Sequence, residues 1–149
     1  MLFFCRFFID LPSFLRYNIA TEVMAVGPMI LCVGVEKGKM LRLSMLCAAL
    51  GIQVKEANEQ QLGMKLGQLC GLDPLPEVDK PGKIKGEMLV MAGFEGKLMD
   101  QFLMGLRQNG CPVPLKAVLT LYNRHWKCEK LYDELTREAL SFANRSKNG

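Results

Sequence analysis

The sequence predicts a three-layer α/β/α protein with a four-stranded parallel sheet in the order 2-1-3-4, and three observations carry that prediction. Apolar runs of strand length alternate with stretches of helical period. Glycine, or the pair Asn109-Gly110, stands where the helical stretches end. The chain also resembles itself: a shift of 59 positions lays residues 29–51 over 88–110. The identities fall at Met29/Met88, Gly34/Gly93, Glu36/Glu95, Met40/Met99, Met45/Met104 and Gly51/Gly110, so both turns of the unit coincide.

In the first half, Met29-Ile30-Leu31-Cys32-Val33 is a continuous apolar run, the pattern of a strand covered on both faces. A turn at 34–38 and a helix over 39–50 follow, with Gly51 supplying the left-handed residue beyond the helix end. Ile52-Gln53-Val54-Lys55-Glu56 alternates apolar and polar residues, which marks an edge strand with one wet face. Asn58 and Gln61 have capping-box spacing, and Leu62, Leu66 and Leu69 make one stripe on the helix they open. Gly63 and Gly67 weaken that helix and let a neighbouring backbone or a partner come close.

Residues 71–86, with Pro74, Pro76 and Pro81, have no periodicity and read as a linker. The second half repeats the plan. Met88-Leu89-Val90-Met91-Ala92 is the strand, the turn holds Gly93-Phe94-Glu95-Gly96, and a helix runs to Asn109-Gly110. Residues 114–121 form the last strand, and Leu131, Tyr132, Leu135, Ala139 and Phe142 form the stripe of the last helix. A β-α-β crossover is right-handed, so each repeat, 29–70 and 87–145, supplies two parallel strands. The sequence reading relates the repeats by a pseudo-twofold along the strands, with the first and fourth helices on one face and the second and third on the other.

Half of the 149 residues are apolar, enough for one domain with its own core over 29–145. A net charge of +4 with mixed signs is too weak a field to argue for nucleic acid. The six cysteines form no C-x-x-C pair and several sit in apolar runs, which suits a reducing cytoplasm. With one histidine and no close ligand pairs, no metal is expected, and no cofactor motif is present.

Residues 1–28 read as an N-terminal extension outside the core fold. Phe3, Phe4, Phe7, Phe8 and Leu11 have helical spacing up to Pro12, but Arg6 and Asp10 interrupt the run. The stretch is a poor signal peptide and too short to span a membrane. A start at Met24 or Met29, a helix packed on the domain, and a membrane-surface anchor are the open readings.

In an open parallel sheet the ligand crevice lies beyond the carboxyl ends of the strands, where the winding reverses. That point brings together Gly34, Lys37, Gly38 and Lys39 with Gly93, Phe94, Gly96 and Lys97. Two glycine turns that open helices and are followed by lysines suit a phosphate or carboxylate. Neither matches the G-x-x-x-x-G-K-[ST] loop, and Glu36 and Glu95 compete for the helix ends. Asn123, Arg124, His125 and Trp126 follow the last strand on the same rim. Arg124 there suits an anion, His125 a proton transfer and Trp126 a stacked ring. The structural alternative is that Asn123 ties the turn and Trp126 packs on Leu131.

Residues 87–140 resemble a bacterial family known as a domain of unknown function. The resemblance rests on Leu89-Val90-Met91-Ala92-Gly93-Phe94, on Leu106-Arg107-Gln108-Asn109-Gly110, and on Pro114-Leu115-Lys116-Ala117-Val118-Leu119-Thr120 with Asn123 and Trp126. It implies no activity, cofactor or catalytic residue. The family places a capping Ser or Thr after the tryptophan, where this chain has Lys127.

Three functions fit these residues. The first is a binding or regulatory module for a small anionic ligand or a protein partner. The second is a small enzyme using His125 and Arg124, although no nucleophile arrangement is visible. The third is a structural or dimerisation subunit, joined through the glycine face of the second helix or a sheet edge. Nucleic acid is not an expected partner, because basic and aromatic residues are not interleaved.

Overall fold

A computed structural model of the chain describes residues 27–74 and 82–148. Strand β1 (Met29–Val33) leads to helix α1 (Lys37–Leu50) and strand β2 (Gln53–Ala57). A 3-10 turn (Glu59–Gln61) and the short helix α2 (Leu66–Leu69) follow. Strand β3 (Met88–Ala92), helix α3 (Gly96–Gln108), strand β4 (Leu115–Val118) and helix α4 (Cys128–Asn148) make the second half. The expected extension lies outside the described residues, apart from Gly27 and Pro28.

The sheet has the expected order, β2-β1-β3-β4, with the half-polar β2 at an edge. Its direction differs from the expected parallel arrangement. β1 pairs with β2 in parallel and β3 with β4 in parallel, but β1 and β3 are antiparallel, with Leu31 opposite Val90. Crossover handedness constrains the two strands inside one β-α-β unit and is silent on how the second unit is laid against the first.

Residues 71–74 and 82–86, the described parts of the expected linker, show where β3 begins. The chain leaves α2 with Asp73 bonded to Arg124, which follows β4. The Gly82 N–H donates to the Glu59 carbonyl, Ile84 packs into the core, and the Gly86 carbonyl abuts Gly34 just past β1. The described parts of the segment expected to be a solvated linker are therefore packed at Asp73, Gly82, Ile84 and Gly86, and the last of them brings β3 to the carboxyl end of β1.

The helices divide between the faces otherwise than expected. Ile30, Cys32, Leu89, Met91 and Val118 face α1 and α3, which contribute Leu43, Cys47, Phe102, Leu103 and Leu106. Leu31, Val33, Met88, Val90 and Ala117 face α2 and α4, which contribute Leu66, Leu69, Cys128, Leu131 and Leu135. With β1 and β3 antiparallel, the rotation that exchanges them is normal to the sheet and keeps each helix on its own face. A twofold along the strands would have moved the helices across.

The hydrogen bonds follow that rotation. Ile52 N–H to Cys47 O (2.8 Å) has its counterpart in Cys111 N–H to Leu106 O (3.0 Å). Leu66 N–H to Trp126 O and Cys128 N–H to Met64 O, both 2.9 Å, exchange with each other around the Lys65/Lys127 bridge. Carbonyls of Met64 and Leu62 thus accept from the first N–H groups of α4, so that helix starts without a Ser or Thr cap.

The capping box at Asn58 and Gln61 forms, but on the 3-10 turn rather than on one continuous helix. Gly67 is buried in α2, its N–H donating to the Arg124 carbonyl at 2.8 Å. A Cβ there would lie 2.1 Å from Asp73 Oδ2, so this glycine face is filled by the chain itself rather than left for a dimer.

Candidate functional site

The antiparallel centre separates the two glycine turns that a parallel sheet would have set side by side. Gly34, Lys37, Gly38 and Lys39 lie beyond the carboxyl end of β1, beside the start of β3. Gly93, Phe94, Gly96 and Lys97 lie at the other end of the sheet, roughly 17 Å away for strands of this length. No shared crevice joins them.

At the first turn an anion is present, and the chain supplies it. Glu87, just before β3, accepts from the Glu36 N–H (3.0 Å) and from Lys39 Nζ (2.6 Å). Lys39 also donates to the Pro112 carbonyl at 2.8 Å. Burial raises the Glu87 pKa, but the hydrogen bonds from Lys39 and Glu36 and the Lys39 charge together hold it below the usual carboxylate value. Lys37 and Gly38 are exposed.

At the second turn Phe94 is buried and packs edge-on against Phe102, with ring centroids 5.5 Å apart. Gly96 and Lys97 are exposed. Pro28 stands where Glu87 stands at the first turn, relative to the antiparallel register.

The residues after β4 hold structure. Asn123 is buried, its Oδ1 accepting from the Thr120 N–H (2.8 Å) and its Nδ2 donating to the Val118 carbonyl (2.9 Å). Arg124 is paired with Asp73 at 2.7 Å. Trp126 packs on the cluster containing Leu131, with Lys130 Nζ 4.6 Å from its ring centroid. His125 is exposed. Arg124 and His125 do not come together around a cleft.

A cleft of about 310 Å³ opens elsewhere, between β2 and the end of α2, lined by Leu31, Lys55, Glu56, Gln61, Gln68, Leu69, Gly71 and Asp73. Its origin lies in the unequal helices of this face. Lys55 stands opposite Leu31 in β2 as Ala117 stands opposite Val90 in β4. Ala117 is fully covered by the layer to which the 21-residue α4 contributes. The corresponding helix over Lys55 is α2, only four residues long and followed by Gly71 with φ 81°. At 1.5 Å per residue α4 extends about 31 Å and α2 about 6 Å, so the sheet beneath the missing turns stays uncovered.

One lysine, two side-chain amides and two carboxylates supply the polar groups of this cleft. Gln61 Oε1 accepts from the Asn58 N–H and Gln68 Oε1 from the Lys65 N–H, both at 3.1 Å. Each amide therefore has its NH2 end uncommitted, and Lys55 Nζ has no hydrogen-bond or ion-pair partner among the described residues. Asp73 Oδ1 is paired with Arg124 while its Oδ2 is buried without a hydrogen-bond partner among the described residues, and the exposed Glu56, whose side chain alternates away from that of Lys55 along β2, also lines the cleft. Lys55 is the unpaired cation of the site among the described residues. The sequence had shown its wet strand face, but not that the helix above it stops short.

Cys32, Cys47, Cys70 and Cys128 have thiols pushed up to about 12 by burial, which leaves them without thiolate chemistry near neutrality. Lys116 is buried in β4 and donates to the Val113 carbonyl. Burial first, and the Arg107 charge second, pull its ammonium down to about 8. Among the described residues no group of three His, Cys, Asp or Glu side chains is placed to hold a metal ion. No described helix is long and apolar enough to cross a membrane.

These features define a four-stranded mixed-sheet α/β protein with helices on both faces. Residues 87–142, from the start of β3 into α4, match the family model described as Domain of unknown function (DUF3783), in agreement with the resemblance read from the sequence. No curated protein and no solved structure matches the chain.

Proposed function

We propose that this chain is a binding module whose site is the β2/α2 cleft, taking a small ligand through a carboxylate or phosphate group. The observation that carries the reading is the convergence of three uncommitted donors, Lys55 Nζ and the amide NH2 groups of Gln61 and Gln68, on one cleft. Its volume, about 310 Å³, suits a small metabolite and lies at the lower end of ligand pockets. Leu31 and Leu69 provide an apolar wall for the remainder of such a molecule.

The reading rests on treating the two halves as copies of one β-α-β-α unit, of which the first has lost most of its final helix. The register centred on Leu31 and Val90 and the exchanged hydrogen bonds around Lys65 and Lys127 support that treatment. A cytoplasmic setting fits the five free, buried cysteines among the described residues.

A thermal-shift series with small mono- and dicarboxylates and phosphorylated metabolites tests the proposal. Stabilisation by at least one class, lost in Lys55→Ala and retained in Lys97→Ala, is the expected result. An equal response in both variants would move the site away from the cleft, and no response to any oxyanion would end the reading.

A further inference from the structure

We infer that the open edge of β2 takes an extended segment of a partner protein as an added strand, with an acidic side chain of that segment seated on Lys55. This rests on the reading of the cleft as a carboxylate site and names what carries the carboxylate there. In a parallel ladder a residue turns both its N–H and its carbonyl to the same neighbour, and successive residues alternate in direction. The Gln53 N–H donates to the Pro28 carbonyl at 3.1 Å, so Gln53, Lys55 and Ala57 face β1. Val54 and Glu56 therefore present their N–H and carbonyl groups outward, at the edge of the sheet. Such a row of outward groups is a template for an extended backbone.

The opposite edge is closed by the chain itself. In β4 the outward carbonyl of Val118 accepts from Asn123 Nδ2 at 2.9 Å, while Asn123 Oδ1 accepts from the Thr120 N–H. Gln61 holds the corresponding place in the first half. It accepts from the Asn58 N–H but makes no bond to the Glu56 carbonyl among the described residues. All of β4 is buried, whereas Gln53 and Glu56 are exposed and Val54 and Lys55 half-buried. A lysine on an edge strand ordinarily keeps other strands off it. Here Lys55 Nζ lies across the sheet face, 3.2 Å from where a Cβ on Gly71 would stand, and leaves the backbone edge clear.

The charges of the edge define the segment. Lys55 stands on the cleft face, and Glu56, opposite Cys32, alternates to the other. An antiparallel strand bonded to Val54 and Glu56 sets the residue opposite Lys55 in a non-hydrogen-bonded pair, where side chains approach most closely. An aspartate or glutamate there meets the unpaired Lys55 ammonium. Its preceding neighbour faces Glu56, which suits a lysine or arginine, and its following neighbour faces Val54, which suits an apolar residue. The segment therefore reads basic, acidic, apolar. A second copy fits less well. Its β2 can be laid antiparallel only with Val54, Lys55 or Glu56 opposite its own counterpart. The last two registers set like charges together, and the first engages Val54 alone of the outward residues.

An NMR titration of the isotope-labelled full chain with the end-blocked peptide Thr-Thr-Lys-Glu-Val-Thr-Thr, whose glutamate is its sole carboxylate, tests this inference. The expected result is saturable binding with the largest shifts at the Val54 and Glu56 amides. Glutamine in place of the peptide's glutamate should weaken binding about tenfold, and Lys55→Ala should remove the difference between the two peptides. N-methylation of the peptide's valine amide, which faces β2, should also weaken binding about tenfold. N-methylation of its glutamate amide, which faces away, should leave binding nearly unchanged. Both methylations alter the peptide alone, so their contrast is independent of any effect of a substitution on the fold. Equal effects of the two methylations, or no binding, would overturn the added strand. Stabilisation by small carboxylates through Lys55 without peptide binding would do the same and leave the cleft reading standing, whereas no response to either would end both. A dimer of the chain that the peptide dissociates would assign the edge to a second copy and overturn the inference as well.

Discussion

Leu31 and Val90 stand opposite each other at the centre of the antiparallel β1/β3 pair, and they are also the residues that the internal shift of 59 positions equates. Every other pairing of the two strands is distributed evenly around them. The same relation appears at both ends of the pair. A Cβ on Gly34 would lie 2.4 Å from the Gly86 carbonyl oxygen, and one on Gly93 would lie 2.4 Å from that of Gly27.

Those two contacts give the first prediction. Gly34 and Gly93 have φ of 68° and 74°, so alanine there meets both left-handed strain and a backbone oxygen that cannot rotate away. Gly51, with φ 73° and nothing within 4 Å of its Cβ position, meets the strain alone. Chemical denaturation should show Gly34→Ala and Gly93→Ala each losing about 2–4 kcal/mol and Gly51→Ala about 1–2 kcal/mol. Equal losses at all three would mean that the close approach of the strand ends contributes nothing.

Glu87 gives a pH dependence. Its carboxylate is held below the ordinary value in the folded chain, chiefly by Lys39 and the Glu36 N–H acting against burial. Its stabilisation is therefore complete above the unfolded-state value and disappears as pH falls through the lower folded-state value. Glu87→Gln should cost about 1 kcal/mol at pH 7, for a partly buried charge-assisted pair. Thermal melts of the two proteins should converge in acid; a constant gap down to pH 3 would deny the ion pair that role.

The thiols provide a third test. Cys32, Cys47, Cys70, Cys111 and Cys128 are free and buried, and four of them are pushed up to about 12. An aromatic disulfide reagent at pH 8 should modify none of these five in the native protein and all of them after unfolding. Peptide mapping separates them from Cys5. Rapid native labelling of Cys70 or Cys128 would show that the α2/α4 layer opens readily.

The strands and long helices were legible because each is announced locally, by an unbroken apolar run such as 29–33 or by a glycine such as Gly51 closing a helix. The order 2-1-3-4 followed from the half-polar β2, which has to be an edge. The direction of β3 was not legible, because it depends on where a stretch without periodicity delivers Gly86, and residue pattern carries no such information. The error propagated to the site. Glu87 entered the sequence reading only as the first residue of the second repeat, whereas an antiparallel β3 sets it against the opening of α1. Lys55 was correctly placed on a wet face, but the cleft above it exists because α2 ends after Leu69, a length that the Leu62, Leu66 and Leu69 stripe overstated.

Lys116 carries the last prediction, because its cost has a definite sign. It is 4% exposed in β4 and its ammonium is pulled from 10.5 to about 8, by burial first and by Arg107 second. Between those two pH values the unfolded chain holds a proton that the folded chain has released, so this group makes stability rise with pH across the window. Below about pH 8 both states are charged and the full burial cost, on the order of 3 kcal/mol, is present. Lys116→Met keeps the length and the packing but removes the charge, at the loss of one hydrogen bond to the Val113 carbonyl. The variant should be about 1–3 kcal/mol more stable than the parent at pH 7, with the difference shrinking as pH approaches 10. Urea unfolding at pH 7, 8.5 and 10 measures both quantities, and a variant that is less stable at pH 7 would show that the Lys116 hydrogen bond outweighs the cost of its buried charge.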